Sequence, residues 1–258
     1  MKVITIINNK GGVGKTTSVQ NIGAAISLLC KAKVLLIDLD PQCSLTKSFG
    51  ITTTNGNIGD LLLGLKTFEE IKITYNKNID VLPTSQELIH QEQQIANSPA
   101  FPFNLKLALE KPNNDYDFIV IDCPPSLGVL TRVALLACNT YLIPMQAEYF
   151  SYEGLRSLIL YTKDLAVVNK GMALGGVFAT RFNPNVKKNF SKYIINSIRE
   201  QIGGKLLDTC IRENIALSEA QADGKTIFDY NPDCNAAEDY YNLTKEIFLK
   251  VFDYNEQK

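Results

Sequence analysis

Asn8-Asn9-Lys10-Gly11-Gly12-Val13-Gly14-Lys15-Thr16-Thr17 decides the fold. The apolar run Val3-Ile4-Thr5-Ile6-Ile7 precedes it, and an amphipathic run from Ser18 to Cys30 follows. The order is strand, glycine loop, helix. Glycines let backbone N–H groups turn inward, and the helix that follows aims its positive end at the same place, so the loop is suited to wrap a phosphate chain. In that reading Lys15 neutralises the outer phosphates and the Thr16 hydroxyl ligates Mg²⁺. The spacing departs from the ordinary G-x-x-x-x-G-K-[ST] loop, because Asn9 stands where that pattern has glycine. A second lysine, Lys10, and the pair Gly11-Gly12 are present instead. Two lysines on one short loop repel each other unless a polyphosphate lies between them.

Two more stretches belong with this loop. Lys33-Val34-Leu35-Leu36-Ile37-Asp38-Leu39-Asp40 reads as a buried strand that ends in two carboxylates and is stopped by Pro41. Asp117-Phe118-Ile119-Val120-Ile121-Asp122-Cys123-Pro124-Pro125 is another apolar run ending in a carboxylate. Open parallel sheets bind ligands beyond the carboxyl ends of their strands, so Asp38, Asp40 and Asp122 should arrive beside the loop. Asp122 then fits a metal-site acid that reaches Mg²⁺ through water, and Pro124-Pro125-Ser126-Leu127-Gly128 a loop that senses the γ-phosphate. For Asp38 and Asp40 the structural alternative is helix capping or turn chemistry.

The rest of the chain alternates strand and helix. Residues 51–78 read as loop and short helices, clearest at Ile58 to Leu65, and Asn78 to Pro83 as a short strand. Ser85 to Ala96 reads as an exposed helix carrying His90, and Phe103 to Lys111 as a short helix. Val129 to Ala137 is a helix, Thr140 to Pro144 a strand, Tyr152 to Asn169 a long helix and Gly175 to Thr180 a strand. Residues 187–203 read as a basic helix and Ala236 to Phe252 as a terminal amphipathic one. With no Gly/Ser-rich or Pro-rich linker, the expectation is α/β: a single doubly wound domain over residues 1–258, its sheet mostly parallel with helices on both faces.

Composition narrows the function. The chain has 258 residues, is 45% apolar and carries a net charge of −1, so it can bury a large core and shows no global nucleic-acid footprint. Met1-Lys2-Val3-Ile4-Thr5 enters a strand directly, without signal-peptide anatomy, and no apolar run reaches the roughly 20 residues that span a bilayer. Six cysteines without a C-x-x-C pair, and one histidine, argue against zinc or iron–sulfur sites. Most of the cysteines read as small buried residues in a reducing compartment. Charge does collect locally: residues 181–212 hold Arg181, Lys187, Lys188, Lys192, Arg199, Lys205 and Arg212 against Glu200 and Asp208. Lys187, Lys188, Lys192 and Arg199 share a helical face and are candidate contacts to a nucleic-acid backbone. A solvated helix surface is the alternative.

The motifs Lys10 to Thr17, Leu36-Ile37-Asp38-Leu39-Asp40-Pro41-Gln42 and Val120-Ile121-Asp122-Cys123-Pro124-Pro125-Ser126 resemble the deviant Walker A, A′ and B motifs of ParA-type partition ATPases. Further matches run through Pro144-Met145-Gln146-Ala147-Glu148-Tyr149, Glu153-Gly154-Leu155 and Leu217-Ser218-Glu219-Ala220, so the resemblance covers nearly the whole chain. It looks like the short form without an N-terminal DNA-reading domain. The resemblance implies ATP and Mg²⁺ as cofactors, bound by Lys10, Gly11, Gly12, Val13, Gly14, Lys15, Thr16 and Thr17. It implies an ATP-sandwich homodimer in which Lys10 reaches the partner's nucleotide and Gly12 permits close approach. Asp40 would position the attacking water, and Thr16, Asp38 and Asp122 would serve the metal. Asn183, Pro184, Arg212 and Asn214 match positions that line the adenine in related folds. A ParB-like or adaptor protein would stimulate hydrolysis, the dimer would bind DNA non-specifically, and the location would be cytoplasmic and nucleoid-associated.

The chain also departs from that family. Where many members read Ile-Pro-Arg-Asn-Val-Arg before Leu-Ser-Glu-Ala, this chain has Cys210-Ile211-Arg212-Glu213-Asn214-Ile215-Ala216. Asn231-Pro232-Asp233-Cys234-Asn235 replaces basic residues near the last helix, and Glu213 to Lys258 holds 10 acids against 4 lysines. DNA binding must then rest on the 181–212 segment. The alternative is a MinD-like membrane-positioning ATPase, echoed by Thr180-Arg181-Phe182-Asn183-Pro184 and by Ile247-Phe248-Leu249-Lys250-Val251-Phe252. A membrane helix should have a basic polar face and follow the folded core, whereas this one falls where the fold's own last helix belongs.

Overall fold

A computed structural model describes residues 1–110, 116–149, 151–184 and 189–252, apart from the side chain of residue 189. The first half contains β1 (Lys2–Ile6), α1 (Lys15–Cys30), β2 (Val34–Asp38), α2 (Ser44–Ser48), α3 (Ile58–Leu62), α4 (Phe68–Ile71), β3 (Ile73–Asn76), β4 (Ile79–Leu82), α5 (Leu88–Ala96), α6 (Asn104–Leu109) and β5 (Phe118–Asp122). The second half contains α7 (Val129–Ala137), β6 (Thr140–Gln146), α8 (Ser151–Ala166), β7 (Ala173–Thr180), α9 (Asn189–Ile202), α10 (Ala216–Ala222), α11 (Ile227–Tyr230) and α12 (Asn235–Val251).

The strands form one seven-stranded sheet in the order β3-β4-β2-β5-β1-β6-β7. Every pairing is parallel except β3 with β4. The central strands are near-continuous apolar runs, broken by Lys2, Thr5 and the terminal Asp38 and Asp122, because both faces are covered. Val3, Leu35, Ile37, Ile119 and Ile121 face one core, shared with α3 and α5 to α9. Their chain neighbours Ile4, Leu36 and Val120 face the other, shared with α1 and α12. Helix α1 lies close on the sheet at Gly23, where a β-carbon would stand 2.4 Å from Leu36 Cδ2. The expected mostly parallel, doubly wound sheet is therefore the one observed.

Register places the chemistry. Ile6 pairs with Asp122, and Asp122 pairs with Asp38, so β1, β5 and β2 end level with one another. The loop that leaves β1 and the two strand-terminal carboxylates thus share one rim of the sheet.

The stretch 51–78 differs from expectation. It holds β3 besides α3 and α4, and β3 is an antiparallel edge strand whose side chains alternate between half-buried and exposed. Four residues of weak alternation lie below what a sequence pattern reveals, and the pairing with β4 supplies the missing constraint. Helix α5 starts at Leu88, after Glu87 rather than Ser85, and buries Leu88, Gln91 and Ile95 while His90 is exposed. Helix α12 buries Tyr240, Leu243, Ile247 and Phe248, and Phe248 meets Phe118 of β5 edge-on at 5.4 Å. Its apolar face is thus part of the core. Among the described residues no helix is long and apolar enough to cross a membrane.

Candidate functional site

The loop between β1 and α1 is braced from three sides. Asn8 Nδ2 donates to Pro144 O at 2.7 Å, and Asn8 Oδ1 accepts from the Lys10 amide at 3.0 Å. Gln146 Nε2 donates to Gly12 O at 2.9 Å. Thr180 Oγ1, at the end of β7, lies 2.9 Å from Val13 O and 3.2 Å from Met145 O. Gly12 and Gly14 have φ of +73° and +88°, which only glycine adopts without strain. Around Gly11 and Gly12 a β-carbon would meet nothing within 4 Å, so the backbone there faces open space. Asn9 and Lys10 pack on Gly154 of α8, where a β-carbon would sit 3.6 Å from Asn9 Oδ1 and 3.7 Å from Lys10 Cε.

Lys15 and Thr16 open α1 and point back under the loop. Lys15 is buried, and its Nζ donates to Lys10 O at 3.0 Å. Burial pulls its ammonium below the usual lysine range, while the charges of Asp122 and Asp40 oppose that fall. Thr16 Oγ1 donates to Asp122 Oδ2 at 2.6 Å. The other oxygen of Asp122, Oδ1, is buried and has no hydrogen-bond partner. Burial first, and the charge of Asp38 second, push the Asp122 carboxyl well above the usual range. A buried carboxylate oxygen without a donor is costly unless a cation or water completes it. Its position beside a hydroxyl and a lysine is the chemistry expected of a Mg²⁺ site that keeps waters and phosphate oxygens as ligands.

Asp38 and Asp40 take different positions. Asp38 is fully buried, and its Oδ2 accepts from the amide and hydroxyl of Thr46 at 2.8 and 2.7 Å. Its Oδ1 accepts from the Asp40 amide at 3.1 Å. These partners cap the start of α2 and fix the turn that carries Asp40. Capping is therefore what the Asp38 carboxylate does directly, and any service to the metal shell passes through its neighbours. Burial pushes the Asp38 carboxyl up to about 6 against the downward pull of the Thr46 hydrogen bonds. Asp40 lines the cleft above the loop, with Oδ1 accepting from the Gln42 amide at 3.0 Å.

The cleft has a volume of about 690 Å³, within the range of small-molecule sites. Residues 11–17, Asp40 and Pro125 form its loop side, and Arg181, residues 211–215, Leu217, Ser218 and Gln221 its other walls. Among the described residues Arg181, and not Asn183 or Pro184, lines it. Arg212 lines it too, but its guanidinium is taken by Asp239 at 2.6 Å and Glu238 at 2.7 Å, which hold it well above the usual arginine range. Asn214 Oδ1 accepts from the Ala216 amide at 2.8 Å, turning the chain into α10. Of the four residues expected near an adenine, Arg212 and Asn214 line the cleft, and Asn183 and Pro184 do not. The chain turns at Arg181, whose φ is +51°, and carries the next residues out of the cleft. Sequence reasoning also missed Thr180 and Gln146 as braces, and Gln221, whose Nε2 lies 3.2 Å from Thr17 Oγ1. Gln221 directly follows the Leu217 to Ala220 motif, which was a usable signal.

The basic segment is weaker on the surface than in the sequence. Lys187 and Lys188 lie outside the described residues. Lys192 is half-buried on α9. Arg199 donates to Asp208 at 2.8 Å, and Asp208 also takes Lys250. Lys205 donates to Leu174 O at 2.8 Å. Arg199 pairs with Asp208 of the same segment, and Arg212 is neutralised by Glu238 and Asp239 outside it, so the count over 181–212 overstates the local charge by Arg212. Cys123 is fully buried, and burial with the nearby charge of Asp122 pushes its thiol well above the usual range, which keeps it protonated.

Residues 1–173 match the family model described as an AAA domain. The chain is 38% identical over 253 residues to the sporulation initiation inhibitor protein Soj of Bacillus subtilis, covering 95% of this chain and 98% of that one. It is 32% identical over 259 residues to the chromosome partitioning protein ParA of Caulobacter vibrioides, covering 98% and 96%. The fold superposes with a TM-score of 0.80 on a putative plasmid partition protein of Borrelia burgdorferi bound to AMPPNP, at 31% identity and over 96% and 98% of the two chains.

Proposed function

We infer that this chain, which belongs to the ParA/Soj family of partition ATPases, binds ATP with Mg²⁺ in the cleft and hydrolyses it. The observation that carries this reading is Asp122, with one oxygen on the Thr16 hydroxyl and the other buried without a partner beside Lys15. Residues 11–17 would receive the phosphates through backbone amides, and Lys15 would exchange its contact with Lys10 O for phosphate oxygens. Thr16 and Asp122 would hold Mg²⁺, Asp122 through water. The ion would spread the charge of the β- and γ-phosphates. Asp40, fixed by the turn that Asp38 caps, would orient the attacking water. The MinD-like alternative is not retained: chromosome and plasmid partition proteins are among the relatives found, and the apolar face of α12 is buried in the fold.

The cycle extends to partners. Residues 1–258 would work as one ATPase domain. Two copies would close on two ATP molecules, each Lys10 leaving Gly154 to reach the other copy's phosphates. The dimer would ride non-specifically on DNA at the nucleoid through Lys187, Lys188 and Lys192, with Arg199 joining only by leaving Asp208. A ParB-like or adaptor protein would trigger hydrolysis and release.

The test is binding of the Asp40→Ala protein to random-sequence DNA with ATP or ADP across a salt series. ATP-dependent binding that weakens by about a hundredfold or more between 50 and 200 mM salt is expected of a phosphate-contacting surface. A variant that dimerises with ATP yet ignores DNA would remove DNA carriage from the reading and leave the ATPase.

A further inference from the structure

One wall of the cleft, residues 211–215, carries neither helix nor strand of its own. On one side it is tied to β7, where the Ile211 amide donates to Ala179 O at 2.8 Å. On the other it is tied to α12. The Arg212 amide donates to Asp239 Oδ2 at 2.8 Å, and Arg212 Nε reaches Oδ1 and Oδ2 at 2.9 and 3.0 Å. Nη2 adds Oδ1 at 2.6 Å and the Asn235 carbonyl at 3.2 Å. Asn214 Nδ2 meets Asn235 Oδ1. The Asp239 side chain is 8% exposed and that of Arg212 30%, so this is a half-buried, two-pronged ion pair, closed to solvent on its carboxylate side. The next residue, Tyr240, is fully buried and also lines the cleft, and its hydroxyl lies 3.2 Å from Ser18 Oγ on α1. Successive residues of α12 therefore hold the loop-bearing helix and the opposite wall in one frame.

We propose that Asp239 is a positioning residue for nucleotide binding: through Arg212 it sets the place of the 211–215 wall, and so governs how tightly the nucleoside part of the substrate is held. This rests on the reading of the cleft as a nucleotide site. With its guanidinium held by Asp239 and Glu238, Arg212 gives the wall no mobile cation. What the wall presents is backbone, Ile211, the acid Glu213, Asn214 and the exposed Ile215, a surface for a base and ribose and not for phosphate. The phosphates have their own donors in residues 11–17. A loop fixed in advance binds more tightly than one ordered by the ligand, because the ordering entropy is already spent. Losing the Asp239 carboxylate should therefore weaken the nucleoside end alone.

Calorimetry with Mg²⁺-ATP and with Mg²⁺-tripolyphosphate, which has no nucleoside, separates the two ends. Asp239→Asn should weaken ATP about tenfold or more while tripolyphosphate stays within about twofold of the parent. Arg212→Leu should do the same, and the double variant should be no worse than either single one, since both remove one interaction. If Asp239→Asn does not fold, Arg212→Lys carries the test. It keeps charge and stem but loses the planar fork, and should show a smaller loss for ATP only. Unchanged ATP binding in these variants, equal losses for both ligands as a generally loosened fold would give, or additive losses in the double variant would each overturn the proposal. A parent protein that binds neither ligand would instead sink the nucleotide reading itself.

Discussion

Asp122 has two unlike oxygens, one on Thr16 and one buried without a partner, and Asp38 lies beside it in the neighbouring strand. Burial raises both carboxyls, Asp38 to about 6. A raised folded-state value means that the folded chain takes up protons before the unfolded chain does. Without ligand, stability should therefore rise as pH falls through about 6 toward the ordinary carboxylate range. Mg²⁺ needs the charged form, so the same fall in pH weakens its binding. The gain in Tm from saturating Mg²⁺-ATP should accordingly shrink as pH drops from 7.5 to 5.5. A gain that stays constant over that window would show that neither carboxyl serves the ion. Lys15, Thr16 and Asp122 were legible in the sequence because a glycine loop and a strand end fix where they point. The fate of Arg212 was not legible, because Asp239 lies 27 positions further on.

Helix α2 has five residues and is held by tertiary contacts more than by its own propensity. Thr46 is the joint. Its hydroxyl donates to Asp38 Oδ2 at 2.7 Å and accepts from the Thr84 amide at 3.0 Å, linking the ends of β2 and β4. Thr46→Val keeps the shape and removes both bonds, leaving a buried amide without a partner. The expected cost is about 1–3 kcal/mol, read as a lower urea midpoint at unchanged slope. ATP hydrolysis should fall as well, since the turn carrying Asp40 loosens; full activity at reduced stability would separate the two roles. Long elements such as α1, α7 and α12 could be read from periodicity. The short ones, β3, α2 and α10, could not, because their few residues take their conformation from the elements they pack on.

At the scale of the whole molecule, the proposed cycle has Lys10 connect the cleft to a second copy. Lys10→Ala should abolish ATP-driven dimerisation in sedimentation velocity while changing the monomer's ATP affinity by less than about threefold, because a charge that solvent still reaches contributes under ~1 kcal/mol within one chain. A Lys10→Ala protein that dimerises with ATP like the parent would remove the sandwich from the cycle. The sequence by itself determined the phosphate loop, the carboxylates that end β2 and β5, and the alternating architecture. Each of these is written in a run of ten or so adjacent residues, where backbone geometry relates chemistry to spacing directly. Only the tertiary structure decided which of those groups remain available. It spent Asp38 on α2, Arg199 on Asp208 and Arg212 on the distant acids Glu238 and Asp239, and it left one oxygen of Asp122 unpartnered. Hydrogen bonds and ion pairs are made in space, between residues that the chain order does not bring together.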